Sequence, residues 1–168
     1  MALPIRPAYA ETSGTPVFEH YTLAASQTQK IGAPMKFTSG TLIEASSAAD
    51  AATGLAGFAA ALNNSAFGFD AGDSPTTVTG RENTIPISPA NRNTTFYGQI
   101  STGTSAIVAP ATTDIGVAYG LVKQSDGYWT VNRSDTTNVT VVVTGIDPTL
   151  YGTGVVLFKV RNASAAAL

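Results

Sequence analysis

The side chains able to do chemistry are few and scattered. His20 is the only histidine, and there is no cysteine. A lone imidazole beside Glu19 makes no nucleophile–base–acid chain, because neighbouring strand residues point to opposite faces. Without thiols, disulfide scaffolds, thiol catalysis and cysteine-type zinc sites are excluded. Asp70 and Asp73, with Gly72 between them, have oxygen ligands for calcium, but the twelve-residue calcium-loop pattern is absent and an Asx-rich turn uses the same letters. Asp114, Asp126, Asp135 and Asp147 each fall at a strand end or turn, where aspartate serves the backbone. A carboxylate pair for glycoside hydrolysis needs two of them facing one cleft, and no run of aromatic residues suggests a sugar platform nearby. Gly116, Gly120 and Gly127 lie in strand-rich sequence, not in a strand-to-helix phosphate loop. No catalytic, cofactor or metal residues are assigned, and no enzyme is expected.

The elements that would carry these residues are strands. Asp114–Lys123 and Tyr128–Asn132 flank Gln124-Ser125-Asp126-Gly127, and Asp-Gly between runs of β-branched and aromatic residues is a strong hairpin signal. The run is read from Asp114 onward. Val139–Val143 and Val155–Arg161 complete an antiparallel meander. Val139, Val141 and Val143 share one face, as do Val156, Phe158 and Val160, with Lys159 and Arg161 opposite. Trp129 falls on the face of Val131 and reads as core.

Upstream, Val17–Ala24 reads as a first strand, and Lys30–Phe37 with Thr41–Ala45 as a hairpin across Ser39-Gly40. Residues 46–64 are ambiguous. Ser46, Ser47 and the alanines favour helix, while Gly54 and Gly57 oppose it. The reading is a short helical turn near 47–52 and then a strand from Leu55 to about Ala61. Residues 63–84 and 101–113 read as loops, Ile85–Ile87 and Thr94–Ile100 as strands, and Ile107-Val108 as a short one. Nine to eleven short strands with Gly- and Ser-rich turns predict an all-β small antiparallel β-barrel, β-tulip or sandwich. No repeat of fixed period is visible.

At 168 residues the chain suits one domain with extended ends. Residues 1–16 carry Pro4, Pro7 and Pro16 and predict an extended N-terminal arm. Within it, Pro4, Ile5, Arg6, Pro7 and Tyr9 are the candidate contacts to a neighbour. Residues 17–162 form the β-barrel domain, and 163–168 a flexible C-terminal tail. Charged residues are only 12%, about half the usual share, so Ser, Thr, Asn, Gly and Ala must cover the surface. Such a surface suits close packing on protein. The net charge of −2 comes with no basic cluster, which argues against nucleic acid. No apolar run approaches the roughly 20 residues of a membrane helix. No apolar segment precedes Ala8-Tyr9-Ala10, so a cleaved leader is not expected.

The order of these segments resembles a known family. Gly-Ala-Pro-Met-Lys-Phe and Ser-Gly-Thr-Leu-Ile-Glu-Ala (32–45), Gly-Leu-Ala-Gly-Phe-Ala-Ala (54–60), and Asp-Ile-Gly-Val-Ala-Tyr-Gly-Leu-Val with Gly-Tyr-Trp-Thr-Val-Asn (114–132) look like the head decoration, or capsid cement, proteins of tailed bacteriophages. The resemblance is one of pattern over residues 17–162. It implies a homotrimer on the outer surface of the virion capsid, assembled in the host cytoplasm. The implied partners are the major capsid protein and neighbouring cement subunits. It also implies strand over helix for 54–60. Two other readings are carried: a carbohydrate- or receptor-binding β-sandwich, with Tyr97, Tyr128 or Trp129 in a groove, and another phage part such as a tail or head–tail joining protein.

Overall fold

A computed structural model describes residues 2–10, 17–24, 27, 29–60, 84–91, 93–104, 106–146 and 154–161. The fold is nearly all β. Its strands are β1 (Arg6–Ala10), β2 (Glu19–Thr22), β3 (Pro34–Thr38), β4 (Thr41–Glu44), β5 (Leu55–Ala59), β6 (Thr84–Pro89), β7 (Thr94–Ser101), β8 (Ala118–Lys123), β9 (Trp129–Asn132), β10 (Val141–Ile146) and β11 (Val155–Val160). One helical turn, α1 (Ala48–Ala51), sits between β4 and β5. The reading of residues 46–60 holds: Ser47 caps α1 by accepting from the Asp50 N–H, and the chain is extended from Leu55. Gly54 and Gly57 end the helical stretch, since each would cost about 1 kcal/mol inside a helix. The loop expected at 63–84 and the tail at 163–168 lie outside the described residues, apart from Thr84 in β6.

The strands divide between two sheets. One runs β1-β7-β11-β10-β8-β9, and β9 returns to pair with β7 in parallel. Strands β7 to β11 therefore form a closed five-stranded barrel, and β1 pairs along the first half of β7. The other sheet runs β2-β6-β5-β3-β4. A parallel bridge between Leu23 and Leu42 draws its ends together, with the Ala24 N–H donating to the Leu42 carbonyl at 2.8 Å.

The two sheets share one connection pattern. In each, the second strand makes a hairpin with the third and pairs with the fourth (β3 with β4 and β5; β8 with β9 and β10). The fifth joins the fourth to the first (β6 between β5 and β2; β11 between β10 and β7). In each, the first and third meet in parallel. This is a tandem repeat of topology. Sequence reading misses it because the intervening loops differ in length and core positions accept any apolar residue of suitable size.

A single hydrophobic cluster spans both units. Phe58 of β5 packs edge-on against Phe96 of β7 at 4.8 Å between centroids, and Phe96 stacks with Phe158 of β11 at 5.9 Å. Polar contacts stitch the same seam. Glu44 of β4 accepts from the Trp129 indole N–H at 2.7 Å and pairs with Lys123 at 2.7 Å. Lys30 lies over the Tyr128 ring, 4.5 Å from its centroid.

The segment before β1 is the third tie. Ile5 is only 1% exposed. A Cβ on Gly32, whose φ is +81°, would run into the Ile5 backbone, and one on Gly98 would stand 3.0 Å from Ile5 Cγ1. Glycine at 32 and 98 thus opens the slot that Ile5 fills, between the β3 approach and β7. The Ala2 N–H donates to Asp126 at 2.6 Å and the Leu3 N–H to the Gln99 side-chain carbonyl at 2.7 Å. Ile5→Ala should lower unfolding stability by about 2–5 kcal/mol in urea titration. A loss under 1 kcal/mol would mean the slot is not a core site.

Candidate interaction surface

The structure places the five arm residues on the chain's own barrel. Arg6 and Pro7 of β1 lie opposite Tyr97 and Phe96 of β7, and Tyr9 opposite Thr95. The segment is extended, as expected. Ile5, however, faces this chain's core, because the glycine slot offers apolar burial that water does not. Pro4, Arg6 and Pro7 are half-buried and keep part of their surface.

The dispersed carboxylates are brought into backbone service. Asp135 accepts from the N–H groups of Thr137 and Asn138 at 3.0 and 2.8 Å, an Asx turn leading into β10. Asp126 accepts from the Tyr128 N–H at 3.2 Å in the β8–β9 turn. Asp70, Asp73 and Asp147 lie outside the described residues. Glu19 accepts from the Tyr21 hydroxyl on one face of β2, and His20 is exposed on the other. Among the described residues no three His, Asp or Glu side chains converge as metal ligands.

Asp114 lies at a turn, as expected of it, but the strand read from Asp114 starts later. It lies in a 3-10 turn, Thr112–Asp114, and the strand begins four residues later at Ala118. The turn wins because the Asp114 carboxylate ties it down. Oδ1 accepts from the Tyr119 hydroxyl at 2.8 Å and Arg133 Nε at 2.9 Å; Oδ2 accepts from the Ala111 N–H at 2.7 Å and Arg133 Nη2 at 2.5 Å. Arg133 also donates to the Ala109 carbonyl at 2.9 Å. The group is 2% exposed and clamps residues 109–117 against the end of β9. Burial alone would raise its pKa. The Arg133 guanidinium, the Ala111 N–H and the Tyr119 hydroxyl outweigh burial and hold it below the ordinary value. Each oxygen already has two donors, so the pair is a brace and not a free acid or base. Sequence reading missed it because Asp114 and Arg133 are 19 residues apart.

A second buried polar set closes the barrel. The Gln124 amide donates to Thr130 Oγ1 at 2.7 Å and to the Gly103 carbonyl at 3.0 Å, while the Ser101 and Thr130 hydroxyls meet at 2.8 Å. These groups hold the parallel join of β7 and β9, where few ladder bonds form.

The aromatic groove of the carbohydrate reading is not formed by its named residues. Trp129 is 1% exposed and Tyr128 5%, and Trp129 is core, as its strand face predicts. Tyr97 is half-buried in β7, between Arg6 of β1 and Leu157 of β11. The described surface instead offers apolar side chains at Val17, Phe18 and Ile115, 54%, 44% and 47% exposed. Val17 and Phe18 stand at the entry to β2, a position that sequence reading placed inside a strand without marking it exposed.

No family model, curated protein or solved structure matches this chain.

Two expectations follow. A carboxylate whose folded pKa is depressed stabilises the fold above its unfolded value, and that contribution is lost as pH falls through the folded value. Stability should therefore fall below about pH 4. Asp114→Asn should cost about 1–3 kcal/mol at pH 7 and flatten the acid limb of stability against pH; an unchanged limb would remove the brace. Gln29 is fully buried, and among the described residues neither of its amide atoms has a hydrogen-bond partner. Gln29→Met should therefore raise the urea midpoint, by about 1 kcal/mol of stability, and a lower midpoint would contradict this.

Proposed function

We propose that this chain is a structural virion protein, a capsid decoration or cement protein that binds the outer surface of an assembled shell and stabilises it. One observation carries the reading. Three of the segments on which the resemblance rests, 32–45, 54–60 and 114–132, contribute strands to two like-wired units tied by an N-terminal strand. Stabilising a shell is mechanical work shared among many copies. It asks for a stiff body and a surface that is cheap to desolvate. The common core and the strap at Ile5 supply stiffness. The low share of charge supplies the surface. The partners in this reading are the major capsid protein and neighbouring cement subunits, arranged as a homotrimer.

Tyr128 and Trp129 are buried and Tyr97 is half-buried, so no observation favours the carbohydrate reading over this one.

The test is co-sedimentation of the full-length chain with purified, undecorated heads of the tailed phage that carries it. Saturable binding is expected, together with a higher temperature of head rupture. Deleting residues 1–16 would also strip Ile5 from the core, so the arm is better tested by Arg6→Glu. With its fold checked by circular dichroism, that variant should bind at least about tenfold more weakly. Absence of binding by the full chain at saturating concentration removes the reading. Undiminished binding by Arg6→Glu removes the arm alone.

A further inference from the structure

The repeated topology sets β2 and β7 in the same role, and the two differ in what lies beside them. Before β7 joins β9 in parallel, its stretch Thr94–Tyr97 is covered by β1. Before β2 reaches its own parallel bridge at Leu23, the stretch Glu19–Tyr21 pairs with β6 on one side, and β4 joins the other side only from Thr22 onward. Among the described residues no strand lies along the other side of Phe18–Tyr21.

The backbone of that side is turned outward. The Pro86 carbonyl accepts from the Ala60 N–H, on the β5 side of β6. His20 lies opposite Pro86. In an antiparallel pair the N–H and C=O of one residue point the same way, so His20 turns its own pair away from β6. The same parity applies to Phe18 and Thr22, but at Thr22 that side already meets β4 through the Leu23–Leu42 bridge. It applies also to Ala24, whose N–H on that side does find a partner, the Leu42 carbonyl. The side chains of Val17, Phe18, His20 and Thr22 are exposed.

Open edges invite pairing with another chain, and proteins blunt those they do not use. The outer edge of β1 is blunted. Pro7 has no N–H, and the register against β7 slips between Pro7 and Tyr9. Residues 17–22 hold no proline, no lysine and no bulge. They present Val17 and Phe18 to water instead.

We propose that the β2 edge is an interface with a second copy of this chain, the two β2 strands pairing antiparallel about a two-fold axis. The occupant follows from the same comparison. Among the described residues of a second copy, β2 is the one open edge that is not blunted, so strand pairing between copies brings β2 to β2. The contact continues both five-stranded sheets into each other and covers Val17 and Phe18. It does not depend on the capsid reading. In a lattice of trimers a two-fold contact of this kind would link one trimer to the next.

Sedimentation equilibrium of the full-length chain, without shells, tests it over micromolar to several hundred micromolar concentrations. A two-fold association step is expected. His20→Pro removes one edge N–H, and Phe18→Ser removes apolar surface while keeping the strand. Each should weaken that step at least about tenfold, with unchanged circular dichroism confirming the fold. A strictly monomeric wild-type chain overturns the proposal. So does association that both variants leave intact, which would place the contact elsewhere. A wild-type monomer whose variants lose binding to shells also overturns it, because the edge would then belong to another protein.

Discussion

Ile5 is where the two halves of the molecule depend on a residue that belongs to neither repeat. Its backbone sits against Gly32, on the approach to β3, and its side chain against Gly98 of β7 and near Phe158 of β11. Both glycines leave room that any larger residue would fill, and the chain uses that room to seat one isoleucine at 1% exposure. Burying such a side chain is worth about 1.5–3 kcal/mol, a sizeable part of a domain's net stability. The bonds from Ala2 to Asp126 and from Leu3 to Gln99 then fix the strand's start. A segment with three prolines, weak in local preference, becomes ordered because of what it plugs.

The tandem topology explains why such a plug is needed. Each unit has only five short strands, and a five-stranded barrel encloses little volume. The units gain burial by sharing a core, and Phe58, Phe96 and Phe158 meet across the join at 4.8 to 6.1 Å. Faces that would be outer surfaces of a lone barrel become interior. This accounts for β5, buried at every position, and β7, buried at seven of its eight. Period-two alternation fails on both strands for that physical reason: each is covered on both faces.

The same reason divides what could be read from the sequence. Where one face meets the core and the other meets water, as on β10 and β11, alternation placed Val141, Val143, Val156, Phe158 and Val160 correctly inside. Turn chemistry found Asp126-Gly127 and Ser39-Gly40, because those residues act locally. Propensity separated α1 from β5, since glycine penalties are local too. The Asp114–Arg133 pair, the Glu44–Trp129 bond and the Ile5 slot each join residues far apart in sequence. Nothing in the local letters encodes such pairings. A charge placed in a turn reads the same whether it caps a backbone or braces a loop.

The second unit closes through one short parallel join, while in the first a single parallel bridge at Leu23–Leu42 leaves the start of β2 uncovered. Parallel pairing at so few residues is weak, so each closure leans on something else. In the second unit it is the Gln124–Thr130–Ser101 set, all buried. In the first it is the Ala24–Leu42 bond and burial of Leu23 and Leu42. A hydrogen-bonded set fixes geometry more tightly than apolar contact, because each donor must meet its acceptor. The second unit also has its first strand flanked by β1, which stiffens it further. The less supported strand, β2, is the one whose backbone groups stand open and whose flanking Val17 and Phe18 stay in water. An added strand there would do for the first unit what β1 does for the second.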